Sequence, residues 1–169
     1  MMEQIIRTLI GHIQSSMPQL ALVDEDYGQL EYIDKEDVDT YPLVMPAVLI
    51  DTPETSWTDT ADGGQKGTCK VRVRLIIDCY DDTHATSGTL DRVAERERMR
   101  HGLHRLLQGF RPDSDGALVR TQSRFYTWSH GIKVYEQTYT TTTSEQVADA
   151  PAVATAKPVV HVRMADIRR

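Results

Sequence analysis

The first segment of the chain has the hydrophobic spacing of a helix. Its apolar side chains recur at intervals of one, three and four residues: Ile5, Ile6, Leu9, Ile10, Ile13 and Met17. This spacing places them along one face of an α-helix, and Pro18 is expected to end the helix. The opposite face carries a single Arg and so lacks the basic surface of a membrane-surface helix. We therefore predict a helix that packs on the core.

The next segment is acidic and then strongly apolar. Residues 24–39 hold eight acids and one base, Lys35, which fits a short edge strand or a solvated loop. A continuous apolar run follows at residues 47–50, bounded by Pro46 and Pro53. This run predicts a buried strand.

The clearest strand signal is the strict alternation at residues 69–80. One face carries Cys69, Val71, Val73, Leu75, Ile77 and Cys79, and the other carries Lys70, Arg72, Arg74, Asp78 and Tyr80. Period-two alternation predicts a long strand with one buried face. Its outer face is cationic at one end, so we expect that face to be solvated or covered by a partner.

The segment between these two strands, residues 52–67, is polar and rich in glycine. Loops of this length without structure of their own are uncommon in compact domains and are usually functional or mobile. We therefore expect this loop to be mobile in an isolated subunit and ordered on assembly.

The second half of the chain predicts a helix and two strands. Thr86 or Ser87 supplies a cap for a helix that runs to about Gln108, with an Arg-rich outer face interleaved with Glu. Residues 118–128 and 132–143 predict strands, and the turn Ser129–Gly131 joins them as a hairpin. Residues 145–158 then read as an extended Ala/Pro linker, and 159–169 as a short C-terminal strand.

These elements predict an α+β fold. We expect an antiparallel or mixed sheet of about four strands, with both helices packed on the face that bears Val71, Val73, Leu75 and Ile77. The predicted organisation is one domain at residues 1–144, the linker at 145–158 and a tethered strand at 159–169.

The charge, the cysteine positions and the length of the apolar runs exclude some classes of protein. The 169 residues have a formal net charge of −6 and two cysteines. Cys69 and Cys79 lie at opposite ends of one predicted strand, about 33 Å apart, so a disulfide between them is excluded. The longest run free of strongly polar residues, 42–50, is too short for a membrane span, which takes about 20 residues. We expect no membrane association and a location in the cytoplasm.

No catalytic constellation is apparent. The glycine-rich residues 63–68 have Lys66 before Gly67 and precede a strand, so they do not form a phosphate loop. Asp78, Asp81, Asp82 and His84 could hold an ion or form a polar turn. His101 and His104 fit surface or boundary positions. We expect no enzyme activity, no cofactor, no metal and no specific nucleic-acid binding.

The order of elements resembles the tail terminator, or tail completion, proteins of long-tailed bacteriophages and their prophage relatives. The resemblance is carried by the helix at 5–17, the segment Pro46-Ala47-Val48-Leu49-Ile50-Asp51, the strand at 69–80, the helix through Leu103, Leu106 and Leu107, and the paired strands at 126–139. It covers most of the chain and is a pattern of elements rather than a signature motif. The tethered strand departs from the minimal family domain.

The resemblance implies a structural protein that closes into a six-membered ring on the tail tube. Such a ring ends tube polymerisation and helps to join the tail to the head, so the implied partners are further copies of the chain, the tail tube protein and head–tail connector proteins. The implied location is the host cytoplasm during assembly and then the virion tail. Two alternatives remain: another connector or minor tail component, and an unrelated binding adaptor without enzyme activity.

A closed ring needs two unlike surfaces that meet between subunits. The cationic strand face and the acidic segment are expected to supply them, with Arg72 and Arg74 at an exposed intersubunit or tube-facing surface where their charges add little to monomer stability. Further candidates for the subunit or tube interface are Asp62 and Lys66 in the loop and Val160, Val162 and Met164 in the C-terminal strand.

Overall fold

A computed structural model of the chain describes residues 2–35, 43–60, 63–112 and 115–146. In chain order its elements are α1 (Met2–Ser16), β1 (Leu22–Glu25), β2 (Ala47–Asp59), β3 (Gly64–Asp78), α2 (Asp91–Leu107), β4 (Val119–Thr127), a 3₁₀ turn (Ser129–Gly131) and β5 (Ile132–Gln146). The predicted α+β class is confirmed. The predicted linker and the C-terminal strand lie outside the described residues.

The strands form one mixed sheet in the order β1-β2-β3-β5-β4. β2 and β3 pair antiparallel, with Val48 opposite Leu75, and β3, β5 and β4 continue antiparallel. Within the described residues the sheet has five strands rather than the expected four, because the start of the acidic segment forms a short edge strand. This strand, β1, pairs parallel with β2 through Leu22 and Ala47.

The main core lies between the sheet and the two helices. The residues of β3 that the alternation placed on the apolar face, Val71, Val73, Leu75 and Ile77, pack with the buried faces of α1 and α2. The predicted helix-bearing face is therefore confirmed. Burial of such side chains contributes roughly 1.5–3 kcal/mol each and is the main source of stability here.

The opposite face of the sheet has a smaller core of its own. Its buried members are Leu30, Ala47, Leu49, Ile76, Ile132 and Val134. Leu30 belongs to the turns that follow β1, so this part of the acidic segment covers the sheet. The alternation along β3 predicted that this face is solvated or covered by a partner. Instead, the chain's own segment after β1 covers the inner part of the face and buries it.

The expectation of a long loop at residues 52–67 is wrong. β2 continues to Asp59 and β3 begins at Gly64. The short connection between them has Thr60 accepting from Gly63 and donating to the carbonyl of Gly64. Polar strand residues are exposed here because no helix covers them. β5 extends alongside to Gln146, so β2 residues 52–59, β3 residues 64–70 and β5 residues 140–146 form a three-stranded extension, here called the arm.

Trp57 and Gly67 hold the arm together on the helix side of the sheet. They are opposite partners in the β2–β3 ladder. A Cβ atom on Gly67 would lie 2.9 Å from Cζ3 of Trp57 and 3.0 Å from Cγ2 of Thr143. Glycine therefore leaves the space that the indole ring occupies, and the ring covers a site where the strand has no side chain of its own.

The structure corrects the predicted start of the second helix and confirms the predicted hairpin turn. The helix α2 begins at Asp91, not at a cap on Thr86 or Ser87, because Ser87 accepts from the backbone N–H of Thr89 within a preceding turn. The hairpin turn at residues 129–131 is confirmed, with positive φ at His130 and Gly131.

Cys69 and Cys79 are free, as the strand geometry required.

We expect Gly67→Ala to lower the free energy of unfolding by about 1–3 kcal/mol, because the added methyl group would overpack against Trp57. Gly11→Ala in α1 is the matched control, since nothing lies within 4 Å of its Cβ position. This control should raise the free energy of unfolding by about 0.5–1 kcal/mol. Urea denaturation of both variants tests the packing, and equal stability of Gly67→Ala and the wild type would contradict it.

Candidate assembly surface

Arg74 is buried, which corrects the expectation that it lies on an exposed surface. The residue is 4% exposed. Its guanidinium donates to Asp26 at 2.6 Å and to Glu31 at 2.5 Å, both in the segment that covers this face of the sheet. The alternation placed Arg74 on the correct face of the strand, but this face is covered by the chain's own acidic segment.

Arg72 lies next to this cluster on the same face and is only partly exposed. Its Nη2 atom donates to Asp51 at 2.8 Å and lies 3.8 Å from the second carboxylate oxygen of Asp26. Further out on β3, Lys70 pairs with Glu54 at 2.7 Å. The cationic face and the described part of the acidic segment therefore neutralise each other within one chain, so they are not two separate surfaces for a neighbour.

Ion pairing shifts the titration of this cluster. Hydrogen bonds from Arg74 lower the pKa of Glu31 from its ordinary value of 4.5, against a smaller opposing effect of burial. Burial would lower the pKa of Arg74, but its bonds to Glu31 and Asp26 outweigh this and raise the pKa. Arg74 therefore stays charged, and its role is to fasten the covering segment to the sheet.

The other predicted interface residues fall in the arm or outside the described residues. Lys66 is exposed on β3, opposite Thr58. Asp62, Val160, Val162 and Met164 lie outside the described ranges. The arm has an open strand edge, which the sequence did not predict. β1 pairs only with residues 47–50 of β2. Within the described chain, the outer edge of β2 after residue 50 is therefore unpaired.

A second uncovered surface lies where α2 passes the β5–β4 side of the sheet. Leu90 is 51% exposed, Val93 44% and Phe125 56%. A groove of about 520 Å³ between α2 and β5 is lined by Leu90, Val93 and Tyr135, and Phe125 packs edge-on against Tyr135. These four residues are called the apolar patch below. Exposed apolar clusters of this kind are typical of interaction sites.

The Arg-rich face of α2 borders the apolar patch. Arg92 pairs with Glu95 at 2.9 Å, and Arg100 pairs with Glu97. Arg100 also lies over the ring of Phe125, 5.5 Å from its centroid. Because these cations have carboxylate partners on the same helix, the face is a mixed-charge rim rather than a continuous basic surface.

The candidate chemical groups do not form a reactive centre. His84 lies 3.0 Å from Asp82 at the end of β3, and the described residues contain no group of three potential metal ligands. His104, expected at the surface or boundary, is half-buried, with Nδ1 3.0 Å from the buried hydroxyl of Tyr139. Burial, followed by nearby Arg120 and His101, lowers the pKa of His104. This contact links α2 to β5 inside the core.

The chain matches no protein-family model and no curated protein. Among residues 2–35, 43–60, 63–112 and 115–146, no helix is long and apolar enough to cross a membrane. Among these residues, the outer edge of β2 and the apolar patch are uncovered and lie at opposite sides of the sheet.

We expect Arg74→Met to lower the free energy of unfolding by about 3–5 kcal/mol, because it would leave the buried carboxylate of Asp26 without its closest cation. Arg72→Met is the matched control on the same strand face. Its side chain is 37% exposed, and its loss should cost about 1 kcal/mol or less. Urea unfolding of the two variants measures the difference. Similar small losses of unfolding free energy would show that Arg74 does not fasten the covering segment to the sheet.

The pH dependence of stability should also report this cluster. Because the folded pKa of Glu31 lies below its ordinary value, the folded state binds fewer protons, and the stabilisation is complete above about pH 4.5 and lost as the pH falls further. The melting temperature of Glu31→Gln, followed from about pH 6 to about pH 3, should fall less steeply than that of the wild type. Glu95→Gln, which removes an exposed pair with Arg92 on α2, should keep the wild-type slope.

Proposed function

We propose that the protein is a structural subunit that assembles into a closed ring on a phage tail tube. This ring would end tube polymerisation and help to join the tail to the head, as the resemblance in element order implies. The observation that supports self-assembly best is the placement of two unlike uncovered surfaces at opposite sides of one sheet. The β2 edge offers backbone hydrogen-bonding groups, and the apolar patch offers hydrophobic area.

Unlike surfaces at opposite sides favour head-to-tail contacts. In such an interface, each subunit uses one surface toward one neighbour and the other surface toward the next, and a fixed rotation between subunits closes a ring. An open strand edge is a hazard in a monomer, because it can pair with any other edge. Occupation by a neighbour removes this hazard. The partners would then be further copies of this chain, the tail tube and the connector proteins of the head.

A second structural role, as another connector or minor tail component, would use the same surfaces against a different partner. The two roles differ in what the protein does to the tube. A terminator binds the end of an assembled tube and limits its length, whereas a connector binds the head side without changing tube length. Negative-stain imaging of tubes polymerised with and without the protein distinguishes them.

We expect the purified chain to have a solution mass of about six times its 19.1 kDa, or to reach six copies per complex when the tail tube protein is present. Light scattering after size exclusion measures this mass. The variant Leu90→Ser/Val93→Ser should shift the population toward monomer, because it removes exposed apolar area from the patch.

The control variant is Tyr80→Ser, which removes an aromatic side chain that is 70% exposed and outside the apolar patch. It should assemble as the wild type does. All variants should keep the wild-type melting temperature within a few degrees, because the substituted side chains are exposed. A wild type that stays monomeric with the tail tube protein present would overturn the proposed function.

A further inference from the structure

The outer edge of β2 in the arm is a six-residue template for another strand. β1 ends opposite Ile50, and a register shift between Asp51 and Glu54 interrupts the ladder at Pro53. Residues 54–59 then pair regularly with β3 on one side. Within the described residues, nothing pairs with them on the other side. An exposed edge of this length is the site at which proteins accept an added strand.

The other two edges in this part of the sheet are less suitable. Residues 115–117 lie against the outer edge of β5, since a Cβ on Gly116 would lie 2.6 Å from the backbone nitrogen of Thr142, and Ser144 donates to Asp115. The β4 edge carries Arg124, whose side chain is 63% exposed. The β2 edge instead carries two acids, Glu54, which pairs with Lys70, and Asp59, which accepts a hydrogen bond from Gln65, so this edge does not itself repel a basic strand.

We propose that residues 160–165 of a neighbouring copy add to β2 residues 54–59 as an antiparallel strand. This inference rests on the self-assembly proposed above and names the contact that one of its two surfaces makes. The donor segment reads Val160-His161-Val162-Arg163-Met164-Ala165, which alternates apolar and basic residues before the last position. It therefore has one apolar face and one cationic face.

The side-chain pattern selects the register. With Val162 opposite Trp57 and Met164 opposite Thr55, the apolar face of the donor lies on the helix side of the sheet. There Trp57 is 38% exposed, and Thr55 contacts Met2 of α1. Arg163 then falls on the other face, diagonal to Glu54. A shift by one residue would place the valines on the polar face, and a shift by two would leave two positions of the six-residue edge without a partner from this segment, so this register is favoured.

The length of the tether allows the segment to reach a second subunit. β5 ends at Gln146, at the outer end of the arm, where it pairs with Gly64. From there the chain's own β2 edge is two strands away, roughly 10 Å. Residues 147–159 have a root-mean-square span of roughly 20 Å as a flexible chain and up to about 40 Å when extended. This tether spans the distance to the chain's own edge and can also extend beyond it to a second subunit, and the self-assembly proposed above selects the second subunit.

Engineered cysteines test the contact in the full-length protein. In the proposed register His161 lies opposite Thr58, so chains carrying Thr58→Cys and chains carrying His161→Cys are mixed and mildly oxidised. The background is Cys79→Ser, and Cys69 is retained because it is buried. The control replaces Thr58→Cys with Lys66→Cys, which lies opposite Thr58 on β3. That position is one strand further from the donor, about 9–10 Å away and beyond the reach of a disulfide.

A disulfide-linked dimer from the first mixture and not from the control is the expected result. Equal cross-linking in both mixtures, or none in either, would overturn the strand addition. A single chain carrying both Thr58→Cys and His161→Cys that closes only within itself would overturn the exchange between copies. Light scattering on the same samples separates the two proposals: an oligomer without cross-links removes only the strand addition, whereas a monomer also removes the proposed assembly.

A second pair of variants tests the side-chain pattern. Val162→Asp would place a charge against Trp57 and should weaken self-association about tenfold or more, the loss expected when one buried valine is withdrawn. His161→Asp changes the neighbouring position on the other face and should leave the apolar contact intact. Equal effects of the two substitutions on the dissociation constant would show that the segment does not bind in this register.

Discussion

The length of β3 is the constraint on which the rest of the fold depends. This strand has 15 residues and pairs with β5 from Gly64 to Asp78. Its inner part, from Cys69 to Ile77, supplies the apolar face under the helices. Its outer part continues past that core, and β2 and β5 follow it as partners. The arm therefore exists because the hydrogen-bonded ladder extends further than the hydrophobic burial that first specifies it.

The cluster around Arg74 determines how the second face of the sheet is used. A buried ion pair is weak evidence for net stability, because desolvation offsets much of the attraction, but breaking it leaves a costly unpaired charge. The contacts of Arg74 with Asp26 and Glu31 therefore fix one position of the covering segment over Leu49 and Ile76. The same contacts neutralise acidic side chains of the segment that would otherwise be free to bind a partner. The proposed assembly therefore uses other surfaces.

The parts of the fold that follow from local spacing were predictable from the sequence. The helix around Leu9, the strand around Val73 and the turn at Gly131 each have a pattern that extends over neighbouring residues and agrees with the structure. The burial of Arg74 was not predictable in this way. Alternation assigns a side chain to a face of the sheet but does not say which distant segment covers that face.

The arm was missed for a different reason. Its strands alternate among Thr, Ser, Lys and Gly, so hydrophobic periodicity gives no signal, and Gly67 looked like a loop residue. The structure shows that this glycine makes room for Trp57 on the paired strand. The available clue was the spacing of Thr55 and Trp57, two good strand formers that occupy one face. Long-range pairing decided the outcome, and a single sequence does not contain that pairing explicitly.

The symmetry of a subunit with two different uncovered surfaces restricts how copies can satisfy them. A two-fold contact pairs each surface with itself, so joining two β2 edges would leave both apolar patches exposed, and joining two patches would leave both edges open. Two-fold contacts therefore need two kinds of interface to cover both surfaces, whereas a single kind of head-to-tail contact covers both on every subunit. Such contacts either close into a ring or continue as a filament, and the angle between neighbours decides which. A protein whose proposed task is to stop the growth of a tube requires the closed ring.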